Sequence, residues 1–365
     1  MKYKGKSVLI VNYYGSKPSN PGGRRTLFWK DLLTQYGYTV DVFSYSDGTV
    51  KAKPFFSRLM TRLIGFFKEY PEINYKWIQE AHELISNGMY EKIIICVPIY
   101  ELCELLAKKN TCSEYIVDIR DGIFFETLFT PPEKIRFSKR LKYFESLLSN
   151  ADVITSNIPG LQSHYSKMIG KDVFLLLNSS SNSSYIKNEN ENENEKIKIL
   201  YAGGLMRSSW GQNIHKFLLG VKKLKKTGME CDVTIIGRLN FFEKIWYKII
   251  FYNIVIIDEI PLSELESSLV QYNCMLLVNT TGRDLLPSKI WLYTRTDHPI
   301  ISIGGSFSLL AIMDGVPGFF NVNNDVNDIF NLLSELSLDD KYNRMDLDFN
   351  DDMFLFKLNV LNEKV

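Results

Sequence analysis

Short apolar runs recur along this chain, each leading into a polar or glycine-rich loop and then into a stretch with helical spacing. Residues 6–12 contain SVLIV, a strand of buried type, followed by a loop rich in Gly and Pro. Residues 22–36 then place Leu27, Phe28, Leu32, Leu33 and Tyr36 at helical intervals, and Gly37 closes that helix. Residues 38–45 (YTVDVFSY) alternate as the next strand. Further strands are expected at 92–97, 115–118 and 153–156, with helices at 101–109 and 133–150. A strand–helix–strand rhythm of this kind dictates parallel pairing with right-handed crossovers.

Residues 178–195 (NSSSNSSYIKNENENENE) break the rhythm, being polar, low in complexity and without periodicity. The alternation then restarts. Strands are expected at 197–201, 231–236, 253–257, 274–278 and 300–303, and helices at 214–227, 261–272 and 288–296. A length of 365 residues suits two domains of ordinary size. The division expected is a first domain over 1–180, a linker over 181–195, a second domain over 196–340, and a tail over 341–365 that packs back on the first domain. The fold class expected is α/β, with two Rossmann-like doubly wound domains facing across a cleft. Ligands in such sheets bind at the carboxyl ends of the strands.

Net charge is +1, so no overall field favours nucleic acid. Residues 1–70 nevertheless hold twelve Lys/Arg against four Asp/Glu, a basic region suited to phosphates or an anionic membrane surface. The five cysteines have no C-x-x-C spacing and read as reduced cytosolic thiols rather than a disulfide framework or zinc site. The apolar run at 8–11 is too short for a signal peptide, and no run approaches the ~18–20 apolar residues of a membrane span. Two stretches, 55–70 (FFSRLMTRLIGFFKEY) and 241–252 (FFEKIWYKIIFY), mix aromatics with bases. Each reads either as a core helix or as a helix lying in a membrane interface. The expectation is a cytoplasmic protein, peripheral at the inner face of the membrane.

Residues 279–299 (NTTGRDLLPSKIWLYTRTDHP) follow a buried strand and open a helix at Ser288. Ser288 is suited to cap the free amides, whose partial positive charge with the Lys289 ammonium suits a phosphate. From spacing alone an ordinary capped helix with a solvated lysine is the leading reading, since helix starts are common. The first loop, residues 13–25 (YYGSKPSNPGGRR), lacks a G-x-G-x-x-G fingerprint, which argues against a dehydrogenase. Asp118, Arg120 and Asp121 cluster at the carboxyl end of a buried strand, where charges need partners. Pairing of Asp118 with Arg120 or Arg24 is the structural expectation.

These segments resemble the family 4-like (group 1) glycosyltransferases of GT-B architecture. The resemblance rests on Pro287-Ser288-Lys289, Tyr201-Ala202-Gly203-Gly204, Ile235-Ile236-Gly237-Arg238, Asp118-Ile119-Arg120-Asp121 and Pro21-Gly22-Gly23-Arg24, in that family's order. It implies an enzyme, a metal-independent hexosyl or related transferase, that moves a sugar from a nucleotide-sugar donor to a saccharide or lipid-linked acceptor. No cofactor is implied beyond the donor, and no metal ligand. By resemblance the donor is held by Gly22, Gly23, Gly204, Gly237, Asp284, Ser288, Lys289 and Leu292, with Arg24 or Arg25, Arg207 and Arg238 as phosphate clamps. A surface salt bridge is the alternative for each arginine. Asp121, with Glu126 and Asp118 behind it, is the carboxylate expected nearest the acceptor hydroxyl, a general base if the reaction inverts. Retention, which the resemblance favours, needs no such base. One departure stands out: where the family carries a second glutamate for the donor ribose, this chain has Leu292, which accepts no hydrogen bond. Asp297-His298 replaces the family's turn glycine and reads as a turn. The other readings are a sugar-nucleotide 2-epimerase on the same fold and a non-catalytic partner protein.

Overall fold

The computed structural model describes residues 6–16, 21–45, 75–97, 100–120, 142–177, 196–205, 212–251, 254–280, 284, 286–337, 341–344, 356 and 360–361. The chain divides into two compact units, Met1–Leu177 with Asn350–Val365, and Asn178–Phe349.

The first unit contains β1 (Ser7–Asn12), α1 (Pro21–Gln35), β2 (Thr39–Ser44), α2 (Tyr75–Asn87), β3 (Lys92–Val97), β4 (Glu114–Ile119), α3 (142–148), β5 (Val153–Ser156), α4 (Pro159–Ile169) and β6 (Val173–Leu175). The strands form one parallel sheet in the order β2-β1-β3-β4-β5-β6. β1 and β3 are buried at every position, which is why they read as unbroken apolar runs: helices cover both faces of a parallel sheet. The sequence expected a helix over 101–109, and Tyr100–Leu106 is a 3-10 helix; α2 and α4 were not foreseen. The core includes Trp29, Leu33, Ile94 and Ile116, and it also takes Phe356, Val360 and Leu361.

The second unit contains β7 (Lys196–Ala202), α5 (His215–Lys225), β8 (Glu230–Ile236), α6 (Phe241–Ile250), β9 (Ile254–Ile257), α7 (Leu262–Ser268), β10 (Cys274–Val278), α8 (Ile290–Tyr293), β11 (Ile300–Ile303), α9 (Phe307–Met313), β12 (Phe319–Val322) and α10 (Val326–Glu335). Its parallel strand order is β12-β11-β10-β7-β8-β9. The chain therefore winds outward from β7 to β9, then returns to the other side of β7 at β10, which is the doubly wound order with its switch point between β7 and β10. α5, α6 and α10 pack on one face through Phe217, Val221, Tyr247, Ile329 and Leu333. Leu265, Ile290, Leu292, Tyr293 and Leu309 cover the other.

Candidate functional site

At the switch point of the second unit, β7 ends in Gly203-Gly204 and β10 ends in Asn279-Thr280. Thr280 N donates to Gln212 Oε1 at 2.8 Å, and Asn213 N donates to Thr280 Oγ1 at 2.8 Å, so the loop after β7 is stitched to the end of β10. Gly204 O accepts from the Tyr201 hydroxyl at 2.8 Å. Gly237 is a glycine by necessity: a Cβ there would lie 2.0 Å from the Gly203 carbonyl oxygen. The two strand-end loops touch through backbone, and only a residue without a side chain fits between them.

The Pro-Ser-Lys segment is anchored to this same place. Tyr293 is fully buried, and its hydroxyl accepts a hydrogen bond from Ala202 N at 2.9 Å, tying α8 to the end of β7. Burial pushes the Tyr293 phenol up, so it stays neutral. The local form differs from the expectation. The helix expected from Ser288 is only Ile290–Tyr293, its N-cap is Lys289 in helical conformation, and no side chain caps it. Ser288 is exposed and lies in the preceding turn. Four residues make too short a helix for a strong terminal dipole, so the helix end by itself offers an anion little.

The pair of positions where the resemblance expects ribose carboxylates is committed to structure. Leu292 is 6% exposed and packs in the core with Leu265, Ile290 and Leu309, so it contacts no solvent-borne ligand. Asp284 accepts from Ser308 N and Ser308 Oγ, both at 2.7 Å, and so holds the first turn of α9. Arg238 is exposed and ion-paired with Glu259, the surface salt bridge rather than a clamp. The Asp297-His298 turn is held by Arg344, which donates to the carbonyls of Thr296 at 2.7 Å and His298 at 3.0 Å. Burial lowers the His298 imidazole to about 4, although Asp297 favours its charge, which makes it a neutral packing residue. Arg207 lies outside the described residues.

In the first unit, the expected partner of Asp118 is corrected. Asp118 is fully buried, and Arg25, also fully buried, grips it with Nε at 2.8 Å and Nη2 at 2.6 Å. Thr155 Oγ1 donates to the same carboxylate at 2.8 Å, and Arg25 Nη1 donates to the Leu176 carbonyl at 2.8 Å. Burial alone would raise the Asp118 carboxyl, but the guanidinium beside it holds it below the ordinary carboxylate range. Asp118 thus reaches no acceptor hydroxyl, and Arg25 reaches no phosphate; both roles are withdrawn by burial. Arg24 is half-buried and has no carboxylate partner among the described residues; burial lowers its pKa, so the charged form gains from any anion nearby. Gly22 and Gly23 are buried in the first turn of α1, where a Cβ on Gly22 would lie 2.5 Å from the Tyr14 ring. Close packing therefore accounts for Gly22. Arg120, which the sequence offered only as a pairing partner, is 5% exposed and stacks 5.5 Å from the Tyr14 ring centroid. Its Nε has no hydrogen-bond partner among the described residues. Asp121 and Glu126 lie outside the described residues. Among the described residues no three His, Cys, Asp or Glu side chains group as a metal site would need.

No protein-family model matches this chain, and no curated protein matches it in sequence. Solved structures do. The lipopolysaccharide outer core galactosyltransferase WaaB superposes with a TM-score of 0.62 at 14% identity, over 98% of this chain and 99% of that one. The UDP-forming α,α-trehalose-phosphate synthase from Burkholderia xenovorans, solved with glucose-6-phosphate, gives 0.61 at 10% identity over 98% and 97%. HepE from Anabaena, solved with UDP and glucose, gives 0.53 at 12% identity over 90% and 88%. The chain has the two-domain α/β fold of the GT-B glycosyltransferases. At these identities the likeness establishes the fold.

Proposed function

We propose that this protein is a glycosyltransferase that moves a sugar from a nucleotide-sugar donor to a saccharide or lipid-linked acceptor, in the manner of the family 4-like enzymes its motifs resemble. The observation that carries the reading is the anchoring of the Pro-Ser-Lys segment to the switch point of the second unit through the Tyr293–Ala202 hydrogen bond. Doubly wound sheets bind nucleotides at that point. Lys289 and Arg207, with loop amides around Gly204, supply the positive charge that stabilises the leaving diphosphate, without a metal held by the protein. Attack proceeds with Asp121 or Glu126 as base if the anomeric centre inverts, and with assistance from the leaving phosphate if it is retained. The UDP and glucose bound to HepE, and the glucose-6-phosphate bound to the trehalose-phosphate synthase, make a uridine nucleotide and a sugar acceptor the first pair to try.

Calorimetric titration with nucleoside mono- and diphosphates tests the donor site. Lys289→Ala is expected to weaken diphosphate binding about tenfold or more, the order of a lost charged hydrogen bond, with the unfolding midpoint unchanged. Unchanged affinity removes Lys289 from the site. The structural commitment of Asp284 and Leu292 favours a second reading, a non-catalytic protein that kept the fold. That protein binds no nucleotide in the same titration. An epimerase instead converts a donor with no acceptor present.

A further inference from the structure

α6 is built inside out for a core helix. Phe241, Phe242, Ile245, Trp246 and Ile249 are 71%, 80%, 40%, 54% and 75% exposed, while Glu243 and Tyr247 are turned inward at 6% and 1%. The exposed positions follow one another along a single face. Glu243 has a local reason to be inside: Asn240 Oδ1 accepts from Glu243 N, and Glu243 Oε2 accepts from Asn240 N, both at 2.9 Å, closing a capping box. Nothing comparable accounts for two phenylalanines, an indole and two isoleucines in water, and a contiguous apolar patch on a soluble surface marks an interaction site.

Lysines gather at the C-terminal end of that helix. α5, on the same face of the sheet, carries Lys216, Lys222, Lys223 and Lys225 with no acidic residue, and Lys226 follows it. α6 adds Lys244, which pairs with Asp258, and the exposed Lys248. Three of these lysines have local partners besides: Lys216 lies near the Asp325 carboxylate, Lys223 donates to Asn327 Oδ1 at 2.8 Å, and Lys225 lies 3.8 Å from Asp232. Between α5 and the end of α6 opens a cavity of about 220 Å³, lined by Leu218, Val221 and Phe251 and by Lys222, Lys225 and Lys226. An apolar pocket lined by lysines matches an acyl chain beneath an anionic head group.

We propose that this α5–α6 face of the second unit docks on an anionic phospholipid bilayer, with the α6 aromatics and isoleucines at the acyl boundary and the lysines among the head groups. Aromatic and aliphatic side chains beside lysines are the composition of an interfacial helix, and the lysine stems let their charges reach phosphate. A second copy of this chain fits poorly, because a symmetric contact would bring like-charged α5 helices together, and lysine is depleted from protein interfaces. The inference does not depend on the transfer chemistry, and its test uses neither donor nor acceptor.

The test is flotation of the full chain with large unilamellar vesicles, either pure phosphatidylcholine or containing phosphatidylglycerol. Binding to the phosphatidylglycerol vesicles is expected to exceed binding to neutral ones by about tenfold and to fall with salt. Phe242→Glu with Trp246→Glu, at exposed positions, is expected to abolish flotation while far-UV circular dichroism and the unfolding midpoint stay those of the parent. Lys222→Glu with Lys226→Glu is expected to remove the preference for anionic vesicles. Absence of flotation, or flotation that survives the α6 variant, overturns the proposal. So does a dimer in light scattering that the α6 variant dissociates, since the patch is then a protein interface.

Discussion

A single buried ion pair shows how residue chemistry fixes the first unit. Asp118 and Arg25 have no exposed surface, and each is further satisfied by Thr155 or the Leu176 carbonyl. Removing one partner leaves the other charged in a dry site, so Asp118→Asn is expected to cost about 3–5 kcal/mol in urea unfolding. The folded-state pKa of Asp118 lies below its unfolded value, so its contribution is complete above the ordinary carboxylate range and lost as pH falls below that range through the lower folded-state value. The acid limb of the stability curve is therefore expected to flatten in Asp118→Asn; an unchanged limb assigns acid sensitivity elsewhere. Leu292 gives the opposite lesson. The resemblance to a family with a ribose-binding glutamate at this position suggests that Leu292→Glu alters nucleotide preference, yet Leu292 sits in the core. An unpaired carboxylate there is expected to cost about 3 kcal/mol or more, read as a lowered denaturant midpoint. A well-folded Leu292→Glu with changed nucleotide affinity contradicts that placement.

At the scale of elements, the sheet was legible because parallel strands covered on both faces write themselves as apolar runs, as in KIIICV and CMLLV. Both doubly wound halves followed from that alternation. Helix limits were less legible. The segment after Pro287 has helical spacing to Thr296, but the observed helix stops at Tyr293, whose hydroxyl is bonded to Ala202, a partner far away in sequence. A contact of that range leaves no trace in local periodicity. The choice between the two arginines was not legible: Arg24, Phe28, Leu32 and Tyr36 recur every four residues just as Arg25, Trp29 and Leu33 do, and only the burial of the second set assigns Arg25 to the core. The outward face of α6 was not legible, since an amphipathic pattern states that one face is apolar without stating which way it turns. The contact of two strand-end loops also belongs to this scale. Gly237→Ala must part the loops after β7 and β8, because its Cβ would meet the Gly203 carbonyl. The expected cost is about 1–3 kcal/mol with weaker nucleotide binding, measured by thermal unfolding and titration on the same sample.

For the molecule as a whole, the order of the chain and the order of its cores do not coincide. Residues 350–365 follow the second unit in sequence but belong to the first. Phe356 packs edge-on against Trp29 at 5.5 Å between ring centroids and against Phe174 at 5.7 Å, and Val360 and Leu361 complete that core. Phe356 is fully buried, so truncating it removes both its transfer free energy and the contacts of the rings that enclose it. Phe356→Ala is expected to destabilise by about 3–5 kcal/mol, and the loss falls on the first unit alone. Each unit has its own core, so the two are expected to give separable transitions. Trp29 and Trp77 are both buried in the first unit, and their emission reports it once Trp210, Trp246 and Trp291 of the second unit are replaced by Phe. Cys231 and Cys274 are buried in the second, and the rate at which a thiol reagent reaches them reports that one. Phe356→Ala is expected to move the tryptophan transition to lower denaturant while leaving protection of Cys231 and Cys274 unchanged. Equal shifts in both probes would mean that the chain unfolds as one cooperative body, and that the tail stabilises more than the unit into which it packs.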